Sequence, residues 1–195
     1  MADSPRPELQ RLDPQRPATA RVFFALWPDE RVRRHLVEVG QRLHAQLGGR
    51  LTREESIHMT LLFLGNVEEA RLETLKCAAS GEAFQRFSMS LETAMCWRHN
   101  RIAWIGPPVL PQPLSDGVES LRRSVAGAGF AFDDKPFAAH VTLLRNASCR
   151  PIEATFDPIE WMVSDFVLVR SRLGASGSSY EVIGRWPTIE VLTNG

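Results

Sequence analysis

Apolar positions recur along this chain with two different periods, and the switches between them mark out the elements. VFFALW, from Val22 to Trp27, is an unbroken apolar run halted by Pro28, which predicts a buried strand. The period then changes. Val32, Leu36, Val39, Leu43 and Leu47 fall three or four apart, as on one face of a helix, with Asp29 placed to cap it and Gly48 to stop it. SIHMTLLFLG predicts a second strand, closed by Gly65. EEARLETLKCAASGEAF predicts a second amphipathic helix whose acidic first turn suits the helix dipole. FSMSLETAMCW alternates and predicts one strand; RHN supplies a turn, and RIAWIG returns as the hairpin partner.

Beyond the proline-rich linker PPVLPQP, a third helix is predicted over Leu114–Ala128, carrying Leu121 and Val125 and ending at GAG. AAHVTLLRNA predicts a strand. WMVSDFVLVRS and SYEVIGRWPT predict two more, joined by GASGSS. No period of 20–50 residues points to a solenoid. Helices and hairpins without strict β-α-β alternation predict an α+β fold with antiparallel sheets. We expect two similar lobes, one contributed by each half, with a central cleft. At 195 residues the chain suffices for one domain, expected over 21–192, and the Pro- and charge-rich residues 1–20 read as a disordered tail.

Composition narrows the function classes. The 23 basic and 23 acidic residues cancel, which excludes a protein that coats duplex nucleic acid by bulk charge and disfavours binding of long RNA, while leaving a local basic cleft open. Only Lys76 and Lys135 are lysines, so phosphate contacts would fall mostly to arginine. Cys77, Cys96 and Cys149 are widely spaced and odd in number, and are expected to be reduced thiols rather than a disulfide framework or zinc knuckle. No apolar run is long enough to span a membrane, and the N-terminus lacks the apolar core of a secretory signal. The expectation is a cytoplasmic monomer without an obligate protein partner.

The candidate chemistry is a repeated phrase. HMTLL at His58 and HVTLL at His140 both read His-x-Thr-Leu-Leu. On a strand, residues i and i+2 share a face, so His58 projects with Thr60 and His140 with Thr142, while Met59 and Val141 face a core. Duplication for packing alone does not account for the polar face, because unpaired His and Thr cost desolvation when buried. Two imidazoles and two hydroxyls around one cleft suit in-line cleavage of a P–O bond. One histidine takes a proton from water, the other gives one to the departing oxygen, and the hydroxyls hold the phosphoryl oxygens. Either histidine can take either part. No metal or cofactor is needed, and a zinc site would lack a third ligand at suitable spacing. His35, His44 and His99 read as surface residues.

The fifth residue after each histidine is Phe63 in one motif and Arg145 in the other. Period two sets both on the face opposite the histidine, unless a bulge or strand end turns them to the cleft rim. There Arg145 would contact phosphate, with a surface ion pair as its other reading; Phe63 would stack on a base, or else pack in the core. Tyr180, the single tyrosine, divides between cleft and packing. Trp27 and Trp104 read as core.

At these residues the chain resembles the 2H phosphoesterase superfamily, and within it the RNA 2′,3′-cyclic phosphodiesterases, also called 2′-5′ RNA ligases. RVFFALWP resembles the family's opening strand, HMTLLFLG and PFAAHVTLLR its two signatures, and SYEVIGRW its closing strand; the likeness covers roughly residues 20–188 in order. The resemblance implies a bilobal fold and opening of a 2′,3′-cyclic phosphate at an RNA or nucleotide end to leave a 2′-phosphate. It implies His58 as proton donor to the 3′ oxygen, His140 as the base on water, and Thr60 and Thr142 as phosphate holders. It also implies the reverse joining of RNA ends through a 2′-5′ linkage. Two alternatives are carried: a 2H enzyme acting on 2′-5′ oligoadenylate or ADP-ribose cyclic phosphate, and a non-catalytic RNA- or nucleotide-binding module.

Overall fold

A computed structural model describes residues 17–81, 84–174 and 177–190. Ten strands and three α-helices follow in the order β1 (Thr19–Leu26), α1 (Glu30–Leu47), β2 (Arg50–Leu51), β3 (Met59–Glu68), α2 (Leu72–Ser80), β4 (Phe87–Leu91), β5 (Thr93–Trp97), β6 (Ile102–Gly106), α3 (Gln112–Gly127), β7 (Val141–Arg145), β8 (Ile159–Val163), β9 (Asp165–Gly174) and β10 (Gly177–Pro187). Short 3₁₀ turns at Glu54–Ser56 and Glu69–Arg71 precede β3 and α2. Residues 1–16 of the expected tail lie outside the described residues, but its boundary at 20 is corrected, because β1 is already paired at Thr19.

The predicted α+β class with antiparallel sheets is what forms. One sheet runs β10-β9-β1-β3-β7-β6-β5, with β2 added on β7, and its named ladders are antiparallel. A second sheet pairs β4 with β8. α1 begins as expected, with the Asp29 carboxylate accepting from the Val32 amide at 2.8 Å, and stops at Gly48 in a positive-φ conformation. Its buried stripe, Val32, Leu36, Val39, Leu43 and Leu47, joins Leu114, Val118, Leu121 and Val125 of α3 in the main core. That core also takes Phe24, Met59, Leu62, Val141 and Leu144 from the sheet. The helices thus cover one sheet face.

Three expectations need correction. FSMSLETAMCW and WMVSDFVLVRS were each expected to be one strand. Each instead breaks after five paired residues, at Glu92 and Ser164, and the halves β4 and β8 leave the main sheet to pair with one another. Local alternation is the same in both halves, so only the tertiary partner distinguishes them. The lobes are also not the two halves of the chain: C-terminal β9 and β10 extend β1 and β3, whereas β5 and β6 extend β7. Finally, Cys96 and Cys149 form a disulfide with Cα atoms 5.4 Å apart. Their 53-residue separation hid the contact. Cys96 pairs across to Ala103, Ala103 pairs across to Leu144, and the chain leaving β7 therefore passes the end of β5. Cys77 is a free, exposed thiol as expected.

Candidate active site

The two motifs meet at one ladder step, where Met59 of β3 faces Val141 of β7 in an antiparallel pair. Extending that register by one residue either way sets His58 against Thr142 and Thr60 against His140. Residues directly opposite in such a pair have Cβ atoms roughly 5 Å apart, and diagonal ones roughly 7–8 Å. The imidazoles therefore occupy a diagonal with room for a phosphoryl group between them. Met59 and Val141 are fully buried behind, so the apolar back anchors the polar front.

Each ring is oriented in the same way. The Nδ1–H of His58 donates to the carbonyl of Ser56 at 2.8 Å, and that of His140 to the carbonyl of Ala138 at 2.8 Å. A carbonyl can only accept, so in both rings Nδ1 keeps its proton and Nε2 is the working nitrogen. His58 Nε2 lies 3.1 Å from the Thr60 hydroxyl.

The surroundings of the two rings differ. His58 is packed by Phe23 (centroids 4.8 Å apart, 29° between planes) and by Trp27 (5.5 Å, 7°), with Tyr180 edge-on at 5.3 Å. His140 meets Trp97 edge-to-face at 4.5 Å and Trp104 at 6.1 Å. Burial disfavours the imidazolium and lowers the His58 pKa to about 4, with the Ser56 carbonyl opposing and the charges of His140 and Arg145 assisting. His140 is also lowered from its usual 6.5, by burial first and by Arg145 as well, against the Ala138 carbonyl.

Strict alternation would have hidden Phe63 and Arg145, and matched bulges bring both to the cleft. On β3 the partners of β1 step from Thr60 to Leu62, skipping Leu61. On β7 the partners of β6 step from Thr142 to Leu144, skipping Leu143. Leu61 and Leu143 are both buried in the core. The extra residue restores the fifth position after each histidine to the histidine's own face. Phe63 then packs with Phe23 and Tyr180 in a small cluster on that face, under the Arg21 guanidinium at 5.0 Å.

All seven sequence-predicted residues, His58, Thr60, Phe63, His140, Thr142, Arg145 and Tyr180, line one cleft of about 700 Å³. Sequence reasoning missed Phe23, Trp97 and the arginines Arg21, Arg50 and Arg53. Trp27 and Trp104, read as core, are half-buried and lie against the histidines. Arg21, Arg50, Arg53 and Arg145 all line the cleft and no acidic residue among the described ones does, so a chain of zero net charge carries a cationic groove. His35, His44 and His99 are exposed, as expected.

A pair of imidazoles presented on two His-x-Thr strands across one sheet seam defines a 2H-type phosphoesterase. Comparison with known proteins gives the particular family. The profile described as LigT like Phosphoesterase matches residues 26–104. An RNA 2′,3′-cyclic phosphodiesterase of Escherichia coli is 29% identical over 171 residues, covering 85% of this chain and 95% of that one. One from Thermus thermophilus is 30% identical over 182 residues, covering 85% and 89%. The crystal structure of E. coli LigT complexed with 3′-AMP superposes with a TM-score of 0.77 at 27% identity, over 88% of this chain and 99% of that one. The chain belongs to the RNA 2′,3′-cyclic phosphodiesterase family of LigT-like phosphoesterases.

Proposed function

We propose that this protein hydrolyses 2′,3′-cyclic phosphate ends of RNA or nucleotides to 2′-phosphates. The observation that carries the proposal is the seam itself, which presents two Nε2 atoms and two threonine hydroxyls to one cleft. Relatives named RNA 2′,3′-cyclic phosphodiesterase over most of the chain, and a structural neighbour holding 3′-AMP, support the same chemistry.

His140 Nε2 takes a proton as water attacks phosphorus. The P–O3′ bond breaks, and the Nε2–H of a protonated His58 gives its proton to the 3′ oxygen, leaving a 2′-phosphomonoester and a 3′-hydroxyl. The aromatic packing of His58 supports its role as donor, since an imidazolium destabilised by burial is a stronger acid toward a departing alkoxide. Thr60 and Thr142 donate to the non-bridging oxygens, and Arg145 contacts substrate phosphate from further along the cleft. Phe63 and Tyr180 offer aromatic surface to the base and ribose. With a 5′-hydroxyl in place of water, the same steps join two ends through a 2′-5′ bond. Work in the cytoplasm as a monomer completes the reading, and no helix among the described residues is long and apolar enough to cross a membrane.

Product analysis tests the proposal. Incubation with 2′,3′-cyclic AMP should yield 2′-AMP, identified against 3′-AMP by chromatography. A 3′-phosphate product, or no turnover of any 2′,3′-cyclic end, would reject it. Adding a 5′-hydroxyl oligonucleotide to the same assay measures the joining reaction.

A further inference from the structure

β3 pairs with β7 at Val141, and further along the ladder β2 pairs with β7 at Leu144 and Arg145. This makes Arg50 the direct cross-strand partner of Arg145. Like charges set opposite one another repel, and proteins ordinarily separate them or place a carboxylate between. Here both side chains line the cleft, no acidic residue lines it with them, and neither makes a hydrogen bond or ion pair among the described residues. Elsewhere the pattern is the opposite: Arg185 pairs with Asp165 at 2.6 Å, Arg86 with Glu190 at 2.7 Å and Arg172 with Glu181 at 3.0 Å.

The close approach that creates the pair is built in. Gly49 has φ +87°, and a Cβ there would lie 2.6 Å from the Arg145 carbonyl oxygen and 2.9 Å from the Ala147 amide. Only glycine lets the chain enter β2 at this separation. The location is also specific. The Leu143 bulge leaves Arg145 one alternation beyond Thr142 on the cleft face, roughly 7 Å along the strand. That is a ribose's reach from the phosphorus held between the histidines.

We propose that Arg50 and Arg145 form a subsite for a second phosphate, the one on the 5′ oxygen of the nucleoside whose 2′,3′-cyclic end is being opened. The inference rests on the proposed activity and adds a selection rule to it. Substrates with a 5′ phosphate, whether an internucleotide diester or a terminal monoester, are preferred over the bare cyclic nucleoside phosphate. Two guanidiniums converge on the anion, and its charge relieves the repulsion between them.

The test compares three substrates: 2′,3′-cyclic AMP, its 5′-phosphorylated form, and the dinucleotide ApA ending in a 2′,3′-cyclic phosphate. Wild-type kcat/KM should be about tenfold or more higher for both 5′-phosphate substrates than for 2′,3′-cyclic AMP, the effect of one or two charge-assisted hydrogen bonds. Arg50→Ala should collapse that ratio toward one and Arg50→Lys should restore part of it. Arg123→Ala, an exposed arginine on α3 outside the cleft, should leave the ratio intact. A gain with the dinucleotide but none with the 5′-phosphorylated mononucleotide would assign the preference to the extra nucleoside and overturn the subsite. So would a ratio that survives Arg50→Ala. If wild type opens none of the three, the failure belongs to the proposed activity instead.

Discussion

Met59 and Val141 face one another in the ladder step that joins β3 to β7, and that pair is the local axis of the site. Everything polar in the two motifs is fixed relative to it. In the proposed reaction His58 and His140 therefore act on the same phosphorus in the same step. His58→Ala and His140→Ala should each lower kcat by about 10²–10⁴-fold, the usual contribution of a general acid or base. Because both serve one transition state, the double variant should lose far less than the product of the two single losses. Steady-state kinetics with unchanged far-UV circular dichroism checks this. Multiplicative losses would show that the two rings work independently.

Much of this site was legible in the sequence because the determining signals are local. The His-x-Thr phrase, its apolar alternate positions, and the caps of α1 at Asp29 and Gly48 each follow from spacing alone. What was hidden depends on partners distant along the chain. The bulges at Leu61 and Leu143 are invisible in a period-two pattern, since Leu-Leu satisfies core demand whichever residue is unpaired. Trp97 and Arg50 belong to short strands that gain meaning only once laid beside β6 and β7. Zero net charge left a local basic cleft open without locating it, because a sum over the chain carries no information about how charge is segregated.

The pH dependence should be shifted to the acid side. The proposed catalysis needs one imidazole neutral and one protonated, and in the free protein His58 is lowered to about 4 and His140 is also below its usual 6.5. The singly protonated enzyme is thus most populated below pH 6.5 and is lost as pH rises above the higher of the two values. kcat/KM, which reports the free enzyme, should peak below pH 6.5. A bound phosphate anion favours both imidazolium forms, so the kcat optimum should lie at higher pH than that of kcat/KM. A kcat/KM profile still rising through pH 8 would contradict this.

Trp27 is one of the three aromatic rings, with Phe23 and Tyr180, that pack around His58. Its indole lies nearly parallel to the His58 ring and keeps water from one side of it. Trp27→Leu should admit solvent, raise the His58 pKa toward 6.5 and weaken it as an acid. The ¹H–¹⁵N titration of the ring should report an upward shift, with kcat reduced more than KM is changed. An unchanged His58 titration would leave Trp27 a packing role only.

The Cys96–Cys149 disulfide ties the end of β5, beside Trp97, to the segment leaving β7. In the chain-entropy account a closed loop of 53 residues stabilises by roughly 4 kcal/mol, on the order of a 10 °C drop in Tm on reduction for a protein of this size. Thiol titration of the denatured, oxidised protein should find one reactive cysteine, Cys77, of the three. Because cytoplasmic thiol pools reduce accessible disulfides, the same titration on protein rapidly alkylated in cells reads which form prevails there. Three thiols and a Tm insensitive to dithiothreitol would dismiss the bridge.

Gly49 is the position where a one-methyl change should separate fold from substrate preference. A residue other than glycine at φ +87° costs about 1–2 kcal/mol in backbone strain alone, and the added carbon meets backbone of Arg145 and Ala147 rather than a flexible side chain. Since neither neighbour can rotate away, β2 itself must shift. His58, His140 and both threonines flank the Met59–Val141 step, further along β7 from its pairing with β2 at Leu144 and Arg145. Gly49→Ala should therefore lower Tm by a few degrees and reduce kcat/KM for 5′-phosphorylated cyclic substrates more than for 2′,3′-cyclic AMP. Equal losses on both would mean that β2 supports the catalytic seam as a whole, and that Arg50 is held against Arg145 by sheet architecture alone.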